Sequence, residues 1–203
     1  MISVYKIKPK FQNALSPILK LLHKWNISAN QITISSILLS LCIGIFFWFA
    51  DFNTYFFLAL PIGLFIRMAL NALDGMMART YNQQSKIGEV LNEIGDVISD
   101  ILIFFPLLKF ESEHIYLIVI FLCLGIINEF SGFMGKVISN IRRYDGPMGK
   151  SDRALIIGIY GIISFIGINF SNYTFYIFML INLLLVISTI TRIKRALDYG
   201  KDI

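Results

Sequence analysis

The chain has 203 residues, of which 56% are hydrophobic and only 15% are charged. A water-soluble domain ordinarily carries about 25% charged residues, so this composition excludes an ordinary soluble fold and predicts a polytopic membrane protein. The formal net charge is +5, but the positions of the basic residues decide topology more than their number does.

The first predicted element is an interfacial segment at about residues 8–26, which contains an amphipathic helix that lies in the membrane surface. Ser16 and Pro17 are interpreted as its cap and first residue. Lys20 and Lys24 lie away from the apolar face, as in interfacial helices. That apolar face contains Ile18, Leu21, Leu22 and Trp25. The alternative is a solvent-side helix packed on the domain.

Six apolar stretches follow, each long enough to cross the hydrocarbon core as a helix of about 20 residues. They lie near residues 32–50, 55–78, 88–108, 115–138, 153–170 and 173–191. The predicted fold class is therefore all-α, a polytopic membrane protein with six transmembrane helices after the interfacial helix. No internal repeat divides the chain, so residues 1–203 are predicted to form a single domain, with the six-helix bundle at 32–191.

The distribution of basic residues predicts that both termini are cytoplasmic. In this orientation, the opposite side of the membrane keeps only Lys109, beside Glu111 and Glu113. The cytoplasmic side collects the N-terminal lysines together with Arg79, Lys86, Arg142, Arg143, Lys150, Arg153, Arg192, Lys194, Arg195 and Lys201.

Polar residues recur at helical spacing on the second and third spans. The second span carries Arg67, Asn71, Asp74 and Ala78, and the third carries Gly88, Asn92, Asp96 and Asp100. Residues three or four apart share a helix face, so each set forms one stripe. If the stripes face each other, oxygen ligands from both helices converge just inside the cytoplasmic surface.

Oxygen ligands without a nearby His or Cys suit Mg²⁺ or Mn²⁺, and such ions usually serve phosphate chemistry. The small residues Gly75, Ala78, Gly88 and Gly95 allow close approach of helices and ligand. The buried charge is also compatible with two arrangements that bind no metal. One is a purely structural ion network of Arg67 with Asp74, Asp96 or Asp100, and the second is a transporter or ion pathway.

These residues resemble the signature of the CDP-alcohol phosphotransferase family, D-x2-D-G-x2-A-R-x8-G-x3-D-x3-D. The spacing matches throughout, and Ala29-Asn30-Gln31-Ile32-Thr33 is similar to the family's usual Pro-Asn-x-Ile/Leu-Thr start. The resemblance implies a metal-dependent membrane enzyme of phospholipid synthesis. Such an enzyme transfers a phosphoalcohol group from a CDP-alcohol, in the commoner bacterial version CDP-diacylglycerol, to an acceptor hydroxyl and releases CMP.

The resemblance also assigns roles to individual residues. Asp74 and Asp96 would bind Mg²⁺ or Mn²⁺, and Asp96 would be the general base. The cytidine nucleotide site would be lined by Gly75, Ala78, Arg79 and Gly88.

Asn71 and Asn92 depart from the family pattern, because they stand where the first and third Asp are expected. An amide oxygen can ligate a cation but brings no charge. One tight metal, two weaker metals, altered acceptor or nucleotide chemistry, and an inactive lipid- or nucleotide-binding scaffold all stay open. Asp100 either restores charge to the site or neutralises Arg67.

The loop from Arg142 to Arg153 is predicted to be a second site. Ser151 or Asp152 would cap the fifth span, and its first amides, with Arg142, Lys150 and Arg153, would bind a phosphate or the acceptor. The alternative is ordinary positive-inside charge. Glu129, inside the fourth span, either lines the acceptor cavity or has a structural role, paired with Arg67 or protonated.

The expected partners are CDP-diacylglycerol or another CDP-alcohol, an acceptor alcohol, the lipid bilayer and a second copy of the chain in a homodimer; no nucleic acid is expected. The acceptor stays open among glycerol phosphate, serine, inositol phosphate and a second lipid. The expected location is the bacterial inner membrane, with the active site facing the cytoplasm.

Overall fold

The computed structural model describes residues 8–199, which are helical and contain no β-strand. Short 3₁₀ turns at Thr54–Leu58 and Ser112–His114 precede α3 and α6. These residues form two compact units that divide between Ile103 and Phe104. The helices within 8–199 are α1 (Lys8–Lys24), α2 (Ala29–Trp48), α3 (Ala59–Thr80), α4 (Lys86–Phe104), α5 (Leu107–Phe110), α6 (Ile115–Ser139), α7 (Lys150–Ile166) and α8 (Ser171–Tyr199).

Four helical segments among these residues are long and apolar enough to cross a membrane. They are Ala29–Trp48, Thr54–Thr80, Ser112–Ser139 and Ser171–Tyr199. An all-helical membrane protein is thus confirmed, whereas the count of six spans stays a prediction. The other two predicted spans, α4 and α7, are less apolar or shorter than these four. Helix α7 has only 17 residues, and α4 carries Glu89, Glu93, Asp96 and Asp100.

Helix α1 begins at Lys8, so Pro17 lies inside it and Ser16 is not its cap. The Ser16 hydroxyl instead donates to the carbonyl oxygen of Gln12, at 3.3 Å. Proline removes one helical hydrogen bond, but Leu15 and Leu19 on either side of it are buried. Tertiary packing therefore holds the helix through Pro17, which local sequence signals did not reveal. The predicted basic residue Lys201 lies outside the described residues.

Helix α1 has two apolar faces. Leu15 and Leu19 pack in one core cluster with Ala29 and Ile32 of α2 and with residues of α3. The predicted membrane-surface face is exposed at Ile18, Leu21 and Trp25, with exposed fractions of 46%, 44% and 62%. Of the predicted apolar face, only Leu22 packs against the cluster.

Specific contacts hold helix α2 near its N-terminus and near its C-terminus. Ser28 caps it: the Gln31 amide donates to Ser28 Oγ, and the Ser28 amide donates to Gln31 Oε1. Near its other end, a Cβ on Gly44 would overlap the backbone carbonyl of Leu102 on α4. Glycine is thus required where α2 and α4 cross.

In the second unit, polar side chains join α6 to α8. Asn128 Nδ2 donates to Thr189 Oγ1 at 3.2 Å, and Asn182 Nδ2 donates to the Leu117 carbonyl at 3.0 Å.

The N-cap of α7 is Gly149, whose amide donates to Asp152 Oδ2 at 2.9 Å. Asp152 therefore supports the cap from inside the helix, and Ser151 is not the cap.

Leu19→Ala should lower the free energy of unfolding by about 2–5 kcal/mol, because it opens a cavity in the α1–α2–α3 cluster. Ile18→Ala, one residue away on the exposed face, is the matched control. The measurement is the thermal unfolding midpoint in detergent micelles. Equal losses in the two variants would contradict the docking of α1 on α2 and α3.

Candidate active site

Side chains from α2, α3 and α4 converge in the first unit. Ser36 Oγ of α2 donates to Asn71 Oδ1 of α3 at 2.7 Å, and Asn71 Nδ2 donates to Asp96 Oδ1 of α4 at 3.5 Å. Thr33 Oγ1 of α2 lies 3.0 Å from Asp74 Oδ2 of α3. The predicted convergence of the two polar stripes is therefore confirmed at Asn71 and Asp96, and α2 completes the cluster.

Both carboxylates of the predicted metal site are buried: Asp74, and Asp96, which is also the predicted general base, have 4% and 9% of their surface exposed. Asp74 Oδ1 accepts from the backbone amide of Gly75. This backbone contact adds no positive charge to the site. Two carboxylate groups therefore lie within a largely apolar helix cluster.

Arg67 supplies the positive charge of this cluster. Its Nη1 lies 2.9 Å from Asp100 Oδ1, and its Nη2 lies 3.4 Å from the backbone oxygen and 3.9 Å from the Oδ1 of Asp96. Asp100 therefore neutralises Arg67, one of the two predicted alternatives. The cluster contains three carboxylates, Asp74, Asp96 and Asp100, and the guanidinium of Arg67, so the formal charges of these four groups sum to −2.

The start of α2 meets the predicted nucleotide residues. The Ala29 amide donates to Gln83 Oε1 at 2.8 Å, and a Cβ on Gly88 would lie 2.6 Å from Asn30 Oδ1. The segment 29–33 and the turn between α3 and α4 are thus one structural feature, although they lie far apart in sequence.

On α3, the remaining predicted nucleotide residues border exposed surface. Arg79 is exposed and Gly75 and Ala78 are partly exposed. A Cβ on Gly75 would lie 3.2 Å from Arg79 Nη1, so the absence of a side chain at Gly75 leaves room for the guanidinium. Asn92 is partly exposed on α4.

A second charged cluster lies within the second unit, around Glu129 of α6. Arg142 Nη2 lies 3.0 Å from Glu129 Oε2, and Arg153 Nη2 lies 2.9 Å from Glu129 Oε1. Arg192 of α8 lies 4.0 Å from the same Oε1 and donates to the Asn128 carbonyl at 2.6 Å. Glu129 therefore pairs with arginines of its own unit, and one carboxylate stands among three guanidiniums.

The loop after α6 holds this cluster in place. The Arg143 amide donates to the Gly132 carbonyl of α6 at 3.1 Å, and a Cβ on Gly132 would lie 2.7 Å from the Arg143 carbonyl. Asp145 accepts from Arg195 through its carboxylate and from Arg192 through its carbonyl. Lys150, at the start of α7, is partly exposed.

Sequence reasoning missed three contributors: Thr33, Ser36 and Arg192. Thr33, Ser36 and Ser40 recur at i, i+3 and i+7 on α2 and are buried, so a polar stripe within an apolar span was the available signal. Arg192 was counted only as cytoplasmic charge, although it follows the polar residues Ser188 and Thr189 on the buried face of α8.

The donors near α3 and α4 fit a divalent cation that prefers oxygen. No set of three or more His, Cys, Asp or Glu side chains within the described residues is arranged to hold a metal ion. The acceptable donors are instead two buried carboxylates, Asp74 and Asp96, and the amide oxygen of Asn92. The charge of −2 would be offset by one such ion, and Mg²⁺ and Mn²⁺ accept this mixture of ligands.

Residues 26–191 match the CDP-alcohol phosphatidyltransferase family, and the chain belongs to that family. It is accordingly an integral membrane enzyme, a transferase of phospholipid synthesis. The inner membrane protein YnbA of Escherichia coli strain K12 is 48% identical over 160 residues, which are 79% of this chain and 79% of that protein.

Crystal structures of Mycobacterium tuberculosis phosphatidylinositol phosphate synthase PgsA1 have the same fold. The form with manganese and citrate gives a TM-score of 0.72 at 20% sequence identity and covers 89% of this chain and 87% of that chain. The form with CDP-DAG bound gives 0.71 at 20% identity, covering 89% of this chain and 92% of that chain.

Glu129→Gln should destabilise the protein by about 3–5 kcal/mol, because three guanidiniums would lose the carboxylate they share. Glu113→Gln removes the same charge from an exposed position and should leave stability unchanged. Thermal unfolding midpoints in detergent compare the two. An unchanged midpoint in Glu129→Gln would mean that the cluster does not depend on this carboxylate.

Proposed function

We propose that this enzyme transfers the phosphatidyl group of CDP-diacylglycerol to the hydroxyl of a polar acceptor alcohol and releases CMP. The observation that carries the proposal is the pair of buried carboxylates, Asp74 and Asp96, that α3 and α4 bring to one polar cluster. Membership of the family supports a CDP-alcohol as the donor. PgsA1, which shares the fold, has been crystallised with CDP-DAG.

In the proposed reaction, the acceptor oxygen forms a bond to the phosphorus that carries the diacylglycerol. The bond from this phosphorus to the bridging oxygen breaks, and CMP leaves with that oxygen. Asp96 takes the proton of the acceptor hydroxyl, as a carboxylate within hydrogen-bond reach can do. Arg67, which lies against both the backbone and the carboxylate of Asp96, keeps this residue in position.

We propose that Asp74, Asp96 and Asn92 hold Mg²⁺ or Mn²⁺. Bound there, the ion would stabilise negative charge on the diphosphate and on the leaving CMP. Thr33 and the Gly75 amide orient Asp74 for this role. PgsA1 has been crystallised with manganese, which supports the choice of ion.

The nucleotide is proposed to lie beside α3 and the start of α4. Arg79 is exposed there and can contact phosphate. The small residues Gly75 and Ala78 leave space for a ligand on that face of α3. Gly88 leaves space at the start of α4, beside Asn30.

We propose that the Glu129 cluster recognises an anionic group of the acceptor, such as a phosphate. Arg142, Arg153 and Arg192 lie together around Glu129, and a group of guanidiniums favours an anion. Lys150 and the first amides of α7 add to this attraction. Of the open acceptors, glycerol phosphate and inositol phosphate fit this charge better than serine.

We propose that the chain crosses the membrane six times, forms one domain and has its active site on the cytoplasmic side. Helix α4 exposes an apolar stripe opposite its polar one, at Ile87, Val90, Ile94 and Ile98. Helix α7 exposes another, at Leu155, Ile159, Ile162 and Ile166. At a rise of about 1.5 Å per residue, helices α4 and α7 are each about 25 Å long or longer. This length is close to the hydrocarbon thickness of about 30 Å. The family match runs through both compact units.

We also propose an inner-membrane location, as the name of the Escherichia coli relative suggests, and a homodimer.

The test of function is incubation of purified protein with CDP-diacylglycerol, Mn²⁺ and a panel of acceptors, with the lipid product identified by mass. Exchange of labelled CMP into CDP-diacylglycerol is the second readout. A transporter or an inactive scaffold would give neither product nor exchange.

Asp74→Asn and Asp96→Asn should each lower the transfer rate by at least about 100-fold, since loss of a general base alone costs about 10²–10⁴-fold. Asp51→Asn, at an exposed position after α2, is the control. Turnover is measured at saturating Mn²⁺, with the unfolding midpoint checked in parallel. Substantial residual turnover in either site variant would defeat the assignment.

Lys150→Ala should raise KM for a phosphorylated acceptor several-fold and leave KM for CDP-diacylglycerol unchanged. Lys194→Ala removes the same charge from an exposed position on α8 and should change neither constant. If both variants alter only membrane orientation, measured by protease accessibility of the termini, the loop contributes topology and not acceptor binding.

A further inference from the structure

We infer that the two asparagines of the motif have different roles: Asn71 is a positioning residue for Asp96, and only Asn92 offers an amide oxygen to the cation. The site then takes a single divalent ion. This inference rests on the proposed metal site. It concerns the residues in which this chain departs from its family.

The contacts of Asn71 fix the direction of its amide. Its Oδ1 accepts a hydrogen bond from Ser36 at 2.7 Å, and its Nδ2 points to Asp96 Oδ1 at 3.5 Å. The reverse orientation would place the amide oxygen against the carboxylate oxygen of Asp96, with no hydrogen between two acceptors. The serine hydroxyl could pair with either end of the amide, so the carboxylate decides the orientation.

This orientation turns the amide nitrogen of Asn71 toward Asp96 and the amide oxygen away from it, so the oxygen does not face an ion bound by Asp96. Asn71 Oδ1 is directed to a buried hydroxyl on α2, and Ser36 has only 2% of its surface exposed. Rotating the amide toward a cation would break the bond to Ser36 and remove the donor facing Asp96. The chain from Ser36 through Asn71 to Asp96 therefore acts as an outer support that orients a carboxylate ligand.

Asn92 differs in each of these respects. It is partly exposed, and no hydrogen bond to its side chain is found among the residues that the structure describes. It lies one helical turn before Asp96 on α4, so the two side chains share a face. Its amide oxygen is thus available without breaking a contact, and the ligand set becomes Asp74, Asp96 and Asn92.

Charge is consistent with one ion. The formal charges of the four charged groups of the cluster sum to −2, and an aspartate at position 71 would place a second carboxylate directly against Asp96. Without a second cation, two such carboxylates repel. An amide at this position avoids the repulsion and adds a donor to Asp96.

The decisive comparison is between Ser36→Ala and Asn71→Ala. If Asn71 is a positioning residue, each variant releases Asp96 and the two should weaken Mn²⁺ binding to a similar extent, by about 10-fold. If Asn71 were a ligand, Asn71→Ala would also lose the bond to the metal and should weaken binding far more than Ser36→Ala does. Free Mn²⁺ is titrated into the protein in lipid nanodiscs and followed by electron paramagnetic resonance.

Ser35→Ala is the matched control, since Ser35 lies one residue away on the exposed face and bonds only the Gln31 carbonyl of its own helix. It should bind Mn²⁺ as the wild type does, with a stoichiometry of one ion per chain. Ser36→Thr, which keeps the hydroxyl, should restore the affinity that Ser36→Ala loses. A far larger loss of affinity in Asn71→Ala than in Ser36→Ala, unchanged or tighter binding in Ser36→Ala, or two ions per chain in the wild type, would overturn the inference.

The titration contains no substrate, so it separates this inference from the proposed function. Similarly weakened Mn²⁺ binding in Ser36→Ala and Asn71→Ala without transfer to any acceptor would leave the role of Asn71 intact and defeat the transferase reaction. Transfer by the wild type with unaltered Mn²⁺ binding in Ser36→Ala would defeat only the role of Asn71.

Discussion

The cost of burying charge among apolar helices is the constraint on which the rest of this structure depends. Moving an ion from water into a medium of low polarity costs several kcal/mol unless a partner compensates it. In each compact unit, a separate network of ion pairs offsets this cost. In the first unit Asp96 and Asp100 pair with Arg67, and in the second three arginines share Glu129. Carboxylates outnumber guanidiniums among the groups around Arg67, and guanidiniums outnumber carboxylates among the groups around Glu129.

These surpluses are meaningful because a purely structural network would tend toward neutrality. A surplus of negative charge suits a cation, and a surplus of positive charge suits a phosphate. A CDP-alcohol contains a diphosphate, whose negative charge a divalent cation can offset. The excess of carboxylates in one network and of guanidiniums in the other is consistent with the reaction proposed above. This is the physical reason for preferring an enzyme to a scaffold.

Uncharged polar groups make the negative network possible. Thr33 and Ser36 contact Asp74 and Asn71 from the neighbouring helix without adding a positive charge to the cluster. Glycine allows the close packing that these short bonds need, as at Gly44 of α2. An asparagine in such a setting is not an impaired aspartate. It donates and accepts at once, and it can connect a hydroxyl on one helix to a carboxylate on another.

The sequence by itself determined the family, the all-helical membrane fold and the polar stripes of α3 and α4, because helical spacing and hydropathy are local properties. It predicted the interfacial segment but wrongly made Ser16 the helix cap, since only the burial of Leu15 and Leu19 explains how α1 continues through Pro17. Tertiary structure alone decided the partners: Ser36 for Asn71, Asp100 for Arg67 and Arg192 for Glu129. These contacts join distant segments, and spacing along one helix carries no information about which neighbour a side chain meets.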